Sequence, residues 1–90
     1  MDSTDMMLKA RQFVANYYNI HNDITNNFSL SLSDVYVVWF CKTLQNWKAL
    51  VSTNVPDNMY YEVTYDGDRN VTYLDAYKKW DNQVILPESP

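Results

Sequence analysis

The side chains able to do acid-base, nucleophilic or metal chemistry are few in this chain and poorly spaced for it. A catalytic histidine needs a second group to orient it, and the one histidine, His21, lies in a polar turn with only Asp23 close by in sequence. It fits better as a surface group at a helix C-terminus, where the helix dipole favours positive charge. The one cysteine, Cys41, closes an apolar run that starts at Val35, and Lys42 points to the other face of that strand, so a buried, inert thiol is expected. Asp66-Gly67-Asp68 has two of the oxygen donors of a calcium loop but lacks the third spaced donor and the distal glutamate, which leaves a hairpin or connecting turn. Asn27-Phe28-Ser29 and Asn70-Val71-Thr72 match the glycosylation pattern, a coincidence where no secretory signal precedes them. No polar groups converge, so no catalytic residue, cofactor or metal ligand is expected and the chain is not read as an enzyme.

The elements that would position a site are easier to read. Residues 1–90 make one domain with a single modest core, and an aromatic content of 16% lets so short a chain bury enough area to fold alone. Met6, Ala10, Phe13, Val14 and Tyr17 fall on one stripe of an amphipathic helix over about residues 4–20, with Ser3 or Thr4 as its cap and Asp2 and Asp5 beside its positive end. A polar loop follows over 21–33. Strands are expected at about 34–42, 47–55 and 59–65, because Val35-Tyr36-Val37-Val38-Trp39-Phe40 is all β-branched or aromatic and Pro56-Asp57-Asn58 is a turn. Thr72-Tyr73-Leu74-Asp75 reads as a capping box opening a second helix over about 72–82, with Val71 placed to staple against Ala76. A tail over 83–90 begins apolar at Val84, Ile85 and Leu86 and ends in a frayed piece.

The expected architecture is therefore α+β: a three-stranded antiparallel β-meander with the N-terminal and C-terminal helices packed on one face, in the order α-β-β-β-α. Strict alternation places Tyr36, Val38 and Phe40 on the core face with Ala49, Val51, Thr53, Val55, Met59, Tyr61, Val63 and Tyr65. The opposite face then collects Val35, Val37, Trp39, Cys41, Lys48, Leu50, Ser52, Asn54, Tyr60, Glu62 and Thr64. Val37, Trp39, Leu50 and Tyr60 form an apolar patch there, which marks either a contact surface for a partner or a second copy, or a place covered by the N-terminal loop or the tail.

Charge narrows the partner. Seven basic against eleven acidic residues leave a net charge of -4, which repels a phosphate backbone at long range. The order helix, three strands, helix is shared with the double-stranded RNA-binding domain, but that family's lysines at the start of the last helix are replaced here by Asn70-Val71-Thr72-Tyr73-Leu74-Asp75. Lys9, Arg11, Lys78 and Lys79 are the residues a nucleic-acid-binding reading would use. The N-terminus lacks the basic and apolar regions of a signal peptide, and nowhere do 18 apolar residues run together, so a soluble cytoplasmic protein without a membrane role is expected.

Asp34-Val35-Tyr36-Val37-Val38-Trp39, Cys41-Lys42-Thr43-Leu44-Gln45-Asn46, Lys48-Ala49-Leu50, Met59-Tyr60-Tyr61-Glu62-Val63-Thr64-Tyr65 and Thr72-Tyr73-Leu74-Asp75-Ala76-Tyr77-Lys78-Lys79-Trp80 with Asn82 together resemble a family of small uncharacterised proteins. Those proteins are encoded in phages and prophages of Gram-positive bacteria such as streptococci, lactococci and lactobacilli. The likeness runs from the first strand to the last predicted element. It implies a bacterial host cytoplasm and transfers no catalytic residue. It also implies a non-enzymatic accessory protein that binds a host or phage protein, or itself, and modulates a host process or defence.

Overall fold

The computed structural model describes residues 2–21 and 29–88. Its elements are helix α1 (Ser3–His21), a single 3-10 turn (Leu32–Asp34), and strands β1 (Val35–Thr43), β2 (Asn46–Thr53), β3 (Met59–Asp66) and β4 (Val71–Lys78). The strands form one antiparallel sheet in the order β1-β2-β3-β4, and α1 lies across one face, mostly over β1 and β2. The fold is α+β, with four strands rather than three and one α-helix rather than two among the described residues.

Helix α1 starts where an acidic cap satisfies its free amides. That cap is Asp2 rather than Ser3 or Thr4: its carboxylate accepts the Asp5 N–H at 2.9 Å and its carbonyl accepts the Met6 N–H at 3.1 Å. Met6, Ala10, Val14 and Ala15 are buried, as the stripe requires, and Phe13 and Tyr17 flank them. Two polar side chains tie the helix to the chain ahead of the sheet. Arg11 donates from Nε to the Val35 carbonyl at 3.0 Å and from Nη2 to the Leu32 carbonyl at 2.7 Å. Asn19 brackets the Leu30 backbone, accepting its N–H at 2.8 Å and donating to its carbonyl at 3.0 Å. Residues 22–28 of the expected loop lie outside the described residues.

The sequence 72–82 forms no helix. Val71–Lys78 is the edge strand, paired with β3 from Asp66↔Val71 to Met59↔Lys78. The segment carried two periods at once, a helical stripe and an alternation of Val71, Tyr73, Asp75 and Tyr77 against Thr72, Leu74 and Ala76. The alternation wins because β3 offers a row of unpaired donors and acceptors, and the preceding turn points the chain straight back along it. In that turn the Asp66 carboxylate accepts the Asp68 N–H at 3.0 Å, Asn70 takes a left-handed φ of 52°, and the Tyr65 hydroxyl donates to Asn70 Oδ1 at 2.8 Å. Leu74 then packs onto the core beside its partner Val63.

A second correction concerns the faces of β1. Val37 pairs with Val51 and Trp39 with Leu50, so Val38 is an extra residue forming a β-bulge. Before the bulge the alternation is opposite to that expected: Val35 and Val37 face the helix with Val51 and Thr53, and Tyr36 faces away. After it, Phe40 faces the helix and Trp39 and Cys41 face away, as expected. Val37 therefore belongs to the core face and not to the contact patch. Cys41 is exposed rather than buried, because nothing described covers that side of the sheet.

Candidate functional site

The face of the sheet turned away from α1 is built from the alternate residues of all four strands. Trp39, Leu50, Glu62 and Asp75 form one cross-strand row, and Tyr60 pairs with Tyr77 and Thr64 with Tyr73 in the rows on either side. Tyr36 opposes Ser52 at the Tyr60 end. Trp39, Tyr36, Tyr73 and Tyr77 are 43%, 51%, 45% and 52% exposed, although each is a large ring on an ordered strand. Leu50 and Tyr60 are half-buried between them. One ion pair crosses the patch, Lys48 Nζ to Glu62 at 3.6 Å.

Of the four residues expected at a contact surface, Trp39, Leu50 and Tyr60 lie together on this face and Val37 does not. Tyr36, Tyr73 and Tyr77 were missed. The bulge hid Tyr36, and assigning residues 72–82 to a helix hid the other two, although the period-two spacing of Tyr73, Asp75 and Tyr77 was there to be read. The tail does not cover the patch: Val84, Ile85 and Leu86 are 83%, 86% and 77% exposed.

The remaining chemical groups are used structurally. The His21 ring stacks on Tyr17 at 4.2 Å, and its Nδ1 lies 2.9 Å from the Tyr17 carbonyl, closing the last turn of α1. Asp66 organises its own turn, and among the described residues no three histidine, cysteine or acidic side chains cluster as a metal site would need. The Asp34 carboxyl is held below its usual range by the Ser31 backbone N–H, then by Asn54 and the Ser31 hydroxyl; the Ser31 bonds close the 3-10 turn and the Asn54 bond fastens it to the end of β2. On the helix side, burial pushes the Tyr61 hydroxyl up to about 12, with Asp57, Tyr17 and Tyr18 adding to the shift. Of the four basic residues proposed for nucleic acid, Arg11 is occupied by two backbone carbonyls. Lys9 lies beside Thr72, and Lys78 lies six residues farther along β4, about 20 Å away at the usual strand rise. They form no common basic surface.

On the helix side, an apolar cleft of about 430 Å³ opens between α1 and the β3–β4 end of the sheet, lined by Met6, Lys9, Phe13, Trp47, Tyr65, Asn70 and Thr72. Its floor is the Trp47–Tyr65 stack, with centroids 5.8 Å apart. No helix among the described residues is long and apolar enough to cross a membrane.

The chain belongs to a family of unknown function, DUF6275, whose model matches residues 7–86. No curated protein and no solved structure matches it.

Proposed function

We propose that this member of the family is a non-enzymatic accessory protein, encoded by a phage of a Gram-positive host, that acts in the host cytoplasm by binding another protein through the open face of its sheet. The observation that carries the reading is the uncovered cluster of Trp39, Leu50, Tyr60, Tyr36, Tyr73 and Tyr77. Rings of this kind bury much area at low entropic cost and dominate the energetics of protein interfaces. A solvated sheet face has no use for them side by side. The nucleic-acid alternative drew on a helix that follows three strands. With β4 in that place, the topological likeness is gone, and the basic residues are dispersed.

The test is a pull-down with tagged protein from a Gram-positive host lysate, run beside the Trp39→Ala, Leu50→Ser variant. Because neither residue touches the helix-side core, the variant should keep its circular dichroism spectrum. A protein retained by the wild type and lost with the variant supports the reading. Retention that is indifferent to the variant removes this face from the function, and a band shift with duplex RNA or DNA at low salt would favour the alternative.

A further inference from the structure

We infer that two copies of this chain pair antiparallel through β4, each laying its arm, residues 80–86, into the apolar cleft of the other. This goes beyond the sheet-face reading and rests on different residues. The first observation is the arm itself. After the Lys79 N–H donates to the Asn58 carbonyl at 2.7 Å, the chain leaves the sheet with Trp80, Val84, Ile85 and Leu86 exposed by 95%, 83%, 86% and 77%. The molecule as a whole is extended, with a radius of gyration of 15.7 Å against about 12 Å for a compact chain of this length. The family's model runs through Leu86, so the arm belongs to the domain rather than trailing from it.

The second observation is the contrast between the two edges of the sheet. The β1 edge is blunted by the Val38 bulge and by Arg11, which occupies the Val35 carbonyl. The β4 edge has no bulge and no proline, its two charges are Asp75 and the terminal Lys78, and Val71, Thr72, Tyr73 and Tyr77 are β-branched or aromatic. Such an edge is open to a further strand.

Geometry selects a second copy as the occupant. The cleft lies at the Thr72 end of β4 and the arm leaves from the Lys78 end, about 20 Å away at the usual rise, so Trp80 cannot fill its own cleft. In an antiparallel β4 pair, the Lys78 end of one copy lies beside the Val71 end of the other, which delivers each arm to the partner's cleft. The two-fold symmetry makes the exchange reciprocal. Charge agrees: Lys9 on the rim of the cleft has no acidic partner among the described residues, and Asp81 follows Trp80 directly. Two reciprocal arms, each burying roughly 500 Å² and about as much of the surface beneath, remove about 2,000 Å² in all, within the range of stable interfaces.

Light scattering on the full chain should report a dimer of the 10.6 kDa protomer. Trp80→Ala with Ile85→Ser should weaken dimerisation by roughly thirtyfold or more with an unchanged circular dichroism spectrum. Should that variant lose its fold, Thr72→Cys with Asp81→Cys in a Cys41→Ser background decides instead: the two sites are too far apart within one copy to join, and air oxidation should give covalent dimers. A full chain that stays monomeric at high concentration overturns the inference. So does a dimer that a folded arm variant leaves intact, or a cysteine pair that never links two copies.

Discussion

Gly67 shows why the chain keeps its only glycine where it does. A Cβ at this position would sit 2.7 Å from the Gln45 Cβ and closer still to the Gln45 carbonyl, because the β1–β2 and β3–β4 turns pack against each other. The contact is made of hydrogen bonds as well: Asn46 Oδ1 accepts the Gly67 N–H at 2.8 Å, and Gln45 donates to Asp68. Gly67→Ala should therefore destabilise the protein by about 1–3 kcal/mol, seen as a fall in thermal midpoint of several degrees, and an unchanged midpoint would refute the packing of the two turns. The sequence marked Gly67 as a turn residue but could not show that a second turn lies on it, since that contact spans more than 20 positions. Tyr61 makes a prediction of the opposite kind, readable only from burial. Its folded pKa is pushed up to about 12, against an ordinary 10 in the unfolded chain. Between these values the unfolded state releases a proton that the native state keeps, so stability present below pH 10 is lost as the pH rises toward 12, at up to about 1 kcal/mol per unit. In urea unfolding at pH 9, 10 and 11, Tyr61→Phe should show a shallower decline than the wild type. Parallel declines would mean that another group is responsible.

At the scale of elements, the legible parts were those with one period and a local stop signal. Helix α1 carries its core stripe within its own residues, although its cap is Asp2 and not the expected Ser3 or Thr4, and β2 alternates up to Val51 and β3 around Tyr61 and Val63, so their existence and their faces follow from the sequence. Elements defined by a neighbour were not legible. β4 is a strand because β3 presents an edge to it, and its Thr72-to-Asp75 spacing satisfies a helix cap equally well. The bulge in β1 is invisible for the same reason, since Val38 sits in a run whose members could all face either way. Once seen, it gives a sharp expectation. Removing Val38 leaves Val37 on the helix face and Trp39 on the open face, so the deletion should preserve the alternation and the far-ultraviolet spectrum. It should also straighten the β1 edge and promote association through it, measured as a larger species in light scattering than the wild type forms. A deletion variant that unfolds would show that the bulge sets the strand's path and not only its edge.

For the molecule as a whole, the balance lies between exposed apolar surface and net charge. The sheet face and the arm both present large side chains to solvent, and a charge of -4 with an isoelectric point near 4.6 is what opposes their association at neutral pH. Lowering the pH removes that opposition without removing the surfaces, because protonating the few carboxylates in excess of the basic groups brings the net charge to zero while the strands keep their pairing. Asp34 lags behind, its carboxyl held below the usual range, so the contact between the 3-10 turn and β2 outlasts the loss of overall charge. Solubility should accordingly pass through a deep minimum close to pH 4.6, with native secondary structure in the precipitate. If the two surfaces cause it, Trp39→Ala with Leu50→Ser and Trp80→Ala with Ile85→Ser should each make the minimum shallower, and the combined variant should nearly abolish it, since none of the four substitutions changes a charge. Turbidity against pH for the four proteins checks this. A minimum of equal depth in all of them would place the sticky surface elsewhere, and would count against both the sheet face and the arm as sites of association.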